Sequence, residues 1–300
     1  MNHKTKRQHY VWKNYLNAWA VDGRVWCNRN GSVFNTEPTN VAQERNFYSP
    51  EPLNEVEKIF LRTDAKQSQR PDIIEFVESE IALRDEMFAA LDAAREAQNA
   101  EEVTRLEIAI HNAEEAYQGQ IENSGIANLA DLVAGEYLWA RDQGRWRDFI
   151  IYFSTQYLRT KRIQETIKKH LGDHPAKLGY SVERLQSVQR HVDAIRLMEG
   201  LHRSASLTLL RAPDGVSFIT SDQPAFNVNA IIHPANFQSF PHEFYYPVSP
   251  KFSAMMVDGT ARYGPSCRDL SAPEVDNYNR IIKLASWEQV FGNTKSAVDT

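Results

Sequence analysis

Cysteine is scarce in this chain: Cys27 and Cys267 are the only two in 300 residues. Lying so far apart, they supply neither a disulfide framework nor a metal knuckle, and so low a number suits a reducing cytosol, with a single disulfide left open. Long apolar runs are missing as well. No stretch approaches about 18 apolar residues without charge, so no transmembrane helix is expected. The basic opening MNHKTKRQHY lacks the apolar core of a secretory signal. A cytoplasmic protein without membrane contact is the expectation. There is no Gly-rich phosphate loop, no Rossmann fingerprint, no G-x-S-x-G elbow and no paired-carboxylate motif. Without a carboxylate cluster a two-metal nuclease is disfavoured. His170 and His174 have i, i+4 spacing, but Gly172 and Pro175 interrupt any helix there and no metalloprotease glutamate follows. Neither a metal nor a cofactor is expected.

What is present is an ordinary globular composition: 42% hydrophobic, 24% charged and 11% aromatic. That argues against a disordered or fibrous chain. The length suffices for one large domain or two small ones. The net charge of −5 is unevenly spread. Between Asp72 and Ser124 there are 14 acidic residues against 3 Arg and no Lys, leaving 31 basic and 25 acidic residues in the rest. A mildly basic body with an acidic arm is compatible with a polyanionic ligand, although charge runs more often mark solvated faces.

The stretch Trp146–His170 reads as one long, largely buried helix, because Phe149, Phe153, Ile163 and Ile167 recur at helical spacing. Tyr152, Gln156 and Arg159 share one face of it, with Arg162 a turn further on. A Gln and an Arg beside a core face must find partners, since burying them unpaired is costly. Two readings follow: a structural hydrogen-bond network, or an anion pocket built on the guanidinium fork.

Around it, His9–Ala20 reads as a short aromatic helix. Arg24–Asn28 and Ser32–Asn35 form a hairpin on Asn30-Gly31. Val41–Tyr48 reads as a loop or irregular strand. Asn54 caps a helix from Glu55. Residues 72–119 are rich in good helix formers and suggest two antiparallel helices broken near Gln98–Ala100. Ser124-Gly125 should end that pattern, with a short helix over Asn128–Arg141. Ser181 caps a helix to Leu201. Ala205–Arg211, Pro213-Asp214-Gly215 and Val216–Thr220 read as a β-hairpin. Glu243–Val248 and Phe252–Val257 are strands. A helix begins at Pro273, Val290-Phe291 reads as an edge strand, and the tail from Thr294 as frayed. The class is α+β: mostly helical, a single domain over 1–300 around a central buried helix. The hairpins of its two ends form a small antiparallel sheet, and residues 72–124 form an acidic helical-hairpin insertion.

Four stretches can carry chemistry. His9-Tyr10 offers a general acid or base near neutral pH, against the plainer reading of a packed histidine. Gln156–Arg162 is the second. Thr220-Ser221-Asp222-Gln223-Pro224 sits at a strand end, where Asp222 is placed to orient a His or hold an Arg, or merely closes a turn. Asn277 and Asn279 lie in the last helix, where an Asn usually satisfies nearby backbone.

Taken together, these stretches resemble a bacterial family catalogued as domain-of-unknown-function family 4238. Its opening HYVPxFYLxxF is similar to His9-Tyr10-Val11, Tyr15-Leu16 and Trp19 here; E-x-x-F-Y matches Glu44-Arg45-Asn46-Phe47-Tyr48. Gln-x-x-Arg-Thr matches Gln156–Thr160, F-I-x-S-D-x-P matches Phe218–Pro224, and Tyr246–Pro250 with Asn279 complete the order. Trp12 and Lys13 replace the family's Pro-x pair, and Gln223 stands where Asn is frequent. The resemblance spans nearly the whole chain apart from the acidic arm. It implies no settled activity. Some members look like single-gene antiphage defence proteins, which commonly attack nucleic acid in the infected host.

The expectation is therefore an antiphage effector acting on nucleic acid, RNA ahead of DNA, as a metal-independent nuclease answering to a phage-derived trigger. In it His9 is acid or base, and Arg159 with Arg162 binds the phosphate. Tyr10, Gln156, Ser221 and Asn279 position the substrate, and Asp222 orients His9 or Arg159. The alternatives are a non-enzymatic sensor or interaction protein, with the acidic arm as docking surface or homodimer contact, and an enzyme acting on a nucleotide.

Overall fold

The computed structural model describes residues 7–45, 47–48 and 50–299. The residues 1–6 of the basic opening, and Asn46 of the E-x-x-F-Y match, lie outside the described residues. The chain is α+β and falls into two compact units. Among the described residues no helix is long and apolar enough to cross a membrane.

One unit comprises Glu44–Gln120 and Gln164–Arg196, with the described residues up to Gln8. Its helices start where the sequence places caps. Asn54 and Glu57 close a reciprocal capping box at the head of Glu55–Gln67. Pro71 opens Pro71–Glu96 at a position where a missing N–H costs nothing. Gln98, at φ 53°, turns the chain into the next helix at Ala100. Leu61, Ile73, Val77, Ile81, Leu185, Val188 and Val192 form the core of this unit.

The other unit comprises His9–Gln43, Ile121–Ile163 and Leu197–Thr300, and it holds the sheets. Four antiparallel strands run in the order Ser32–Thr36, Val25–Arg29, Gln289–Gly292, Thr220–Ser221. The Asn30-Gly31 hairpin forms as its two positive φ angles require. Five further strands run Ser266–Asp269, Ser206–Arg211, Phe252–Val257, Glu243–Pro247, Phe226–Asn227, the first pair parallel.

Several expectations from the sequence are corrected. The Ala205–Thr220 hairpin does not form, because Ser206–Arg211 pairs with Phe252–Val257 on one edge and Ser266–Asp269 on the other. The 216–219 backbone is satisfied elsewhere: Phe218 N–H donates to Pro250, and Asn279 takes both Ile219 N–H and Ser217 C=O. Gln289–Gly292 is an interior strand, not an edge. The tail carries a short helix, Lys295–Val298, capped by Thr294, with Val298 buried. His9 belongs to a strand, Arg7–His9, and the aromatic helix is only Lys13–Leu16 with a 3-10 turn after it. The central helix is two: Gln143–Leu158 ends at Arg159, and Lys161–Leu171 has no buried residue, so Ile163 and Ile167 are not core.

Nor does Ser124-Gly125 end the second helix of the arm, which runs unbroken over Ala100–Ala134. Gly125 instead admits the Tyr152 ring: a β-carbon there would lie 2.3 Å from the Tyr152 Cγ. Gly125→Ala in a helix would ordinarily stabilise by about 0.5–1 kcal/mol. Here the buried ring cannot retreat, and overpacking reverses the sign. Thermal unfolding is expected to show a net loss of roughly 1–3 kcal/mol.

Candidate functional site

Gln156 and Arg159 stand at the end of the Gln143–Leu158 helix and reach across to the 9–12 segment. Gln156 Nε2 donates to the Tyr10 carbonyl (3.1 Å), and its Oε1 accepts from Trp12 N–H (3.3 Å). Arg159 Nη2 donates to the His9 carbonyl at 2.5 Å, and its guanidinium lies 4.5 Å from the Trp12 ring centroid. The primary amide of Gln156 thus acts as one more rung of backbone for an irregular segment.

From Tyr10 the seam continues. Gln289 Nε2 donates to Tyr10 Oη (2.9 Å), and Gln289 Oε1 accepts from Ala42 N–H (3.3 Å). Gln289 N–H donates in turn to Asp222 Oδ2 (3.0 Å), beside Glu288 N–H (2.8 Å), while Trp287 N–H reaches Oδ1 at 2.7 Å. Burial pushes the Asp222 carboxyl up to about 6, although the three N–H bonds favour its ionised form. The Ser221 hydroxyl donates to the Gln223 carbonyl and accepts from the Gln223 N–H, and Thr160 Oγ1 donates to Gln223 Oε1. Arg162 donates to the carbonyls of Leu284 (2.7 Å) and Ser286 (3.2 Å).

The structure therefore brings the four stretches together, but as a buried seam. Gln156, Ser221 and Asp222 are at most 1% exposed, Tyr10 and Arg159 2%. Asp222 orients the loop before Gln289 by accepting from backbone N–H groups, not from His9 or Arg159. Arg162 and Asn279 are half-buried and committed to carbonyl and backbone partners. None of these groups presents a free fork to solvent.

A different grouping lies at one end of the seam. His9 is half-buried; its Nε2 is covered and, among the described residues, has no hydrogen-bond partner. Burial lowers its pKa below the usual 6.5; the charges of Arg159 and Lys13 act the same way, against backbone hydrogen bonds to Thr39 and Pro38. Glu122, also half-buried, accepts from Asn14 Nδ2 at 3.0 Å. Burial raises its pKa above the usual 4.5, opposed by Arg159 and by the Asn14 hydrogen bonds. Arg159 thus exerts its charge on a histidine and a carboxyl whose proton affinities are pushed toward each other. The sequence reading missed Glu122, which lies inside the acidic helix among many solvated glutamates. Its only signal is register: it falls on the stretch of that helix that also carries Gly125. Among the described residues no group of three or more His, Cys, Asp or Glu is arranged to hold a metal ion.

The model of a family described as "Protein of unknown function (DUF4238)" matches residues 7–296. No curated protein and no solved structure matches the chain.

Asp222 makes a testable contribution to stability. Its folded pKa is raised from 3.8 to about 6, so the protonated form stabilises the fold fully below pH 3.8. That stability is lost as pH rises through 6, up to about 3 kcal/mol in all. Asp222→Asn is expected to flatten the unfolding free energy between pH 4 and 6. At pH 7 it should cost roughly 1–3 kcal/mol, because an amide leaves a backbone N–H without an acceptor. A pH series of denaturant melts on both proteins checks this.

Proposed function

The chain belongs to the DUF4238 family of proteins of unknown function, and we propose that it is an antiphage effector, as the resemblance implies, cleaving RNA without a metal, with His9 and Glu122 as the reactive pair. The observation that carries the reading is that burial lowers the pKa of His9 and raises that of Glu122, with the charge of Arg159 acting on both, at a place where the two residues are only half-buried although His9 Nε2 itself is covered and unpaired among the described residues. A pair whose proton affinities are set by environment is what general acid–base catalysis needs. RNA suits such a pair better than DNA, because its 2′-hydroxyl is an internal nucleophile.

The step balances without a co-reactant. The His9 imidazole removes the 2′-hydroxyl proton, the 2′-oxygen bonds to phosphorus, the bond to the 5′-oxygen breaks, and Glu122 protonates that leaving oxygen. The products are a 2′,3′-cyclic phosphate and a 5′-hydroxyl, and proton exchange with water resets the pair. Arg159, buried under Trp12, stabilises developing negative charge through its field without touching the substrate. Lys13, exposed beside His9, is the residue on hand to meet the phosphate backbone. Gln156, Asp222 and Arg162 hold the segment that carries His9 and its surroundings.

A second reading, a non-enzymatic sensor or interaction protein, is favoured by the inward commitment of the seam: Gln156, Ser221 and Asp222 are buried and bonded to backbone groups within the chain. The two readings part in one experiment. Purified protein is incubated with total RNA and with DNA, in EDTA, beside His9→Ala and Glu122→Gln. The nuclease reading expects RNA cleavage that falls by about 10²–10⁴ in either variant, with circular dichroism unchanged. It also expects a bell-shaped pH profile, its acidic limb set by protonation of His9, whose pKa lies below the usual value, and its basic limb by ionisation of Glu122, whose pKa lies above it. Cleavage that survives both substitutions places the chemistry elsewhere. Absence of cleavage, with and without lysate from infected cells, moves the assignment to the interaction protein.

A further inference from the structure

The unit built from residues 44–120 and 164–196 contains a cleft of about 250 Å³ that none of the above uses. Its base is a buried ionic centre. Glu114 accepts from Gln118 Nε2 (2.6 Å) and lies 3.1 Å from His191 Nε2 and 2.9 Å from Arg190 Nη2. Arg190 is held there, its side chain 9% exposed, with its guanidinium 4.6 Å from the Tyr48 ring centroid. Two donors lining the cleft are buried without a protein acceptor among the described residues: Arg190 Nε and Gln186 Nε2. At i, i+4 on the Val182–Ser204 helix they share one face and stand side by side. Buried donors left unmet are uncommon because each forfeits its hydration.

The charges around the cleft are otherwise matched. Arg184 Nε bonds the fully buried Glu57 at 2.8 Å, and Lys168 lies 3.2 Å from both Glu165 and Glu183. A phosphate chain would meet those carboxylates, so a polyanion does not suit the interior. The volume lies below the roughly 300–1,000 Å³ of pockets for drug-sized ligands, which limits an occupant to one ring system with little attached. The need is for a flat, neutral group that offers two adjacent acceptors to the unmet donors, donors to the carboxylate rim, and a face to the aromatic wall of Phe47 and Tyr48.

We propose that this cleft is a nucleobase site selective for guanine. Guanine places O6 and N7 as neighbouring acceptors on one edge, the pair that Arg side chains read elsewhere. Its N1–H and N2–H₂ donors face the opposite way, toward Glu165 and Glu183. Adenine offers one acceptor beside a donor on the same edge, and cytosine offers only a donor there. Aromatic and guanidinium planes are the usual surfaces for an unstacked base. The base can belong to a free guanosine nucleotide or to an unpaired guanosine in RNA; the chemistry is shared. The proposal stands apart from the assignment of His9 and Glu122.

The test is isothermal titration of the whole chain with guanosine, adenosine and cytidine monophosphates. In parallel, a short unstructured RNA containing a single guanosine is compared with its adenosine counterpart. The expected result is binding of a guanine-bearing ligand at least about tenfold tighter than the others. Binding of the monophosphate points to a free nucleotide, and binding of the RNA alone points to a single strand. Gln186→Leu removes an unmet donor, so it should weaken that binding about tenfold without lowering the melting temperature. Gln186→Glu, of nearly the same shape, should do so by turning a donor into an acceptor. The proposal is overturned if no guanine ligand binds at millimolar concentration. It is equally overturned if adenine or cytosine binds as well, or if binding survives both substitutions at Gln186.

Discussion

The unit that carries the sheets depends on a buried carboxylate. Asp222 is almost wholly removed from water, yet it gathers three consecutive backbone N–H groups, those of Trp287, Glu288 and Gln289. Those groups precede an interior strand and would otherwise be orphaned where the chain turns into the sheet. Because Gln289 is held in this way, its own amide is aimed at Tyr10 and Ala42. Tyr10 and its neighbours are held from the other side by Gln156 and Arg159. Removing one member leaves the next without a partner, so the seam is cooperative in its failure even where each bond is modest.

That requirement also separates groups that organise from groups that can react. A side chain committed to two backbone groups inside the core is held away from any ligand. Gln156, Asp222 and Ser221 are of this kind. Arg159 differs in reach, because charge acts over distance where hydrogen bonds do not. Buried beneath Trp12, it still lowers the proton affinities of His9 and Glu122, with burial on the one and against it on the other. The Arg190 guanidinium in the other unit is treated differently. Glu114 neutralises it and Tyr48 supports it, yet its Nε faces a cleft without an acceptor.

Much of the local structure was legible beforehand, wherever the deciding forces act between near neighbours. The Asn30-Gly31 hairpin follows from two residues that tolerate positive φ, and the helix starts at Glu55 and Val182 follow from Asn54 and Ser181. The failures share one cause. Ser206–Arg211 and Val216–Thr220 alternate as a hairpin should, but two other strands and Asn279 offered better partners. Gly125 reads as a breaker until the Tyr152 ring is seen against it. Arg159 and Thr160 interrupt a helical pattern that continues in sequence, because their side chains bind His9 and Gln223.

By itself, then, the sequence determined the class, the helix caps at Asn54 and Ser181 and the Asn30-Gly31 turn, since patterning and backbone preference operate over a few positions. It could also say that Gln156, Arg159 and Asp222 need partners. Only the tertiary structure decided who those partners are, because hydrogen-bond saturation is a property of groups brought together from positions 9, 156, 222 and 289. It also decided that Glu122, one glutamate among fourteen acidic residues of the arm, is half-buried under the influence of an arginine. A proton affinity depends on what surrounds the group, and that surrounding does not exist until the chain is folded.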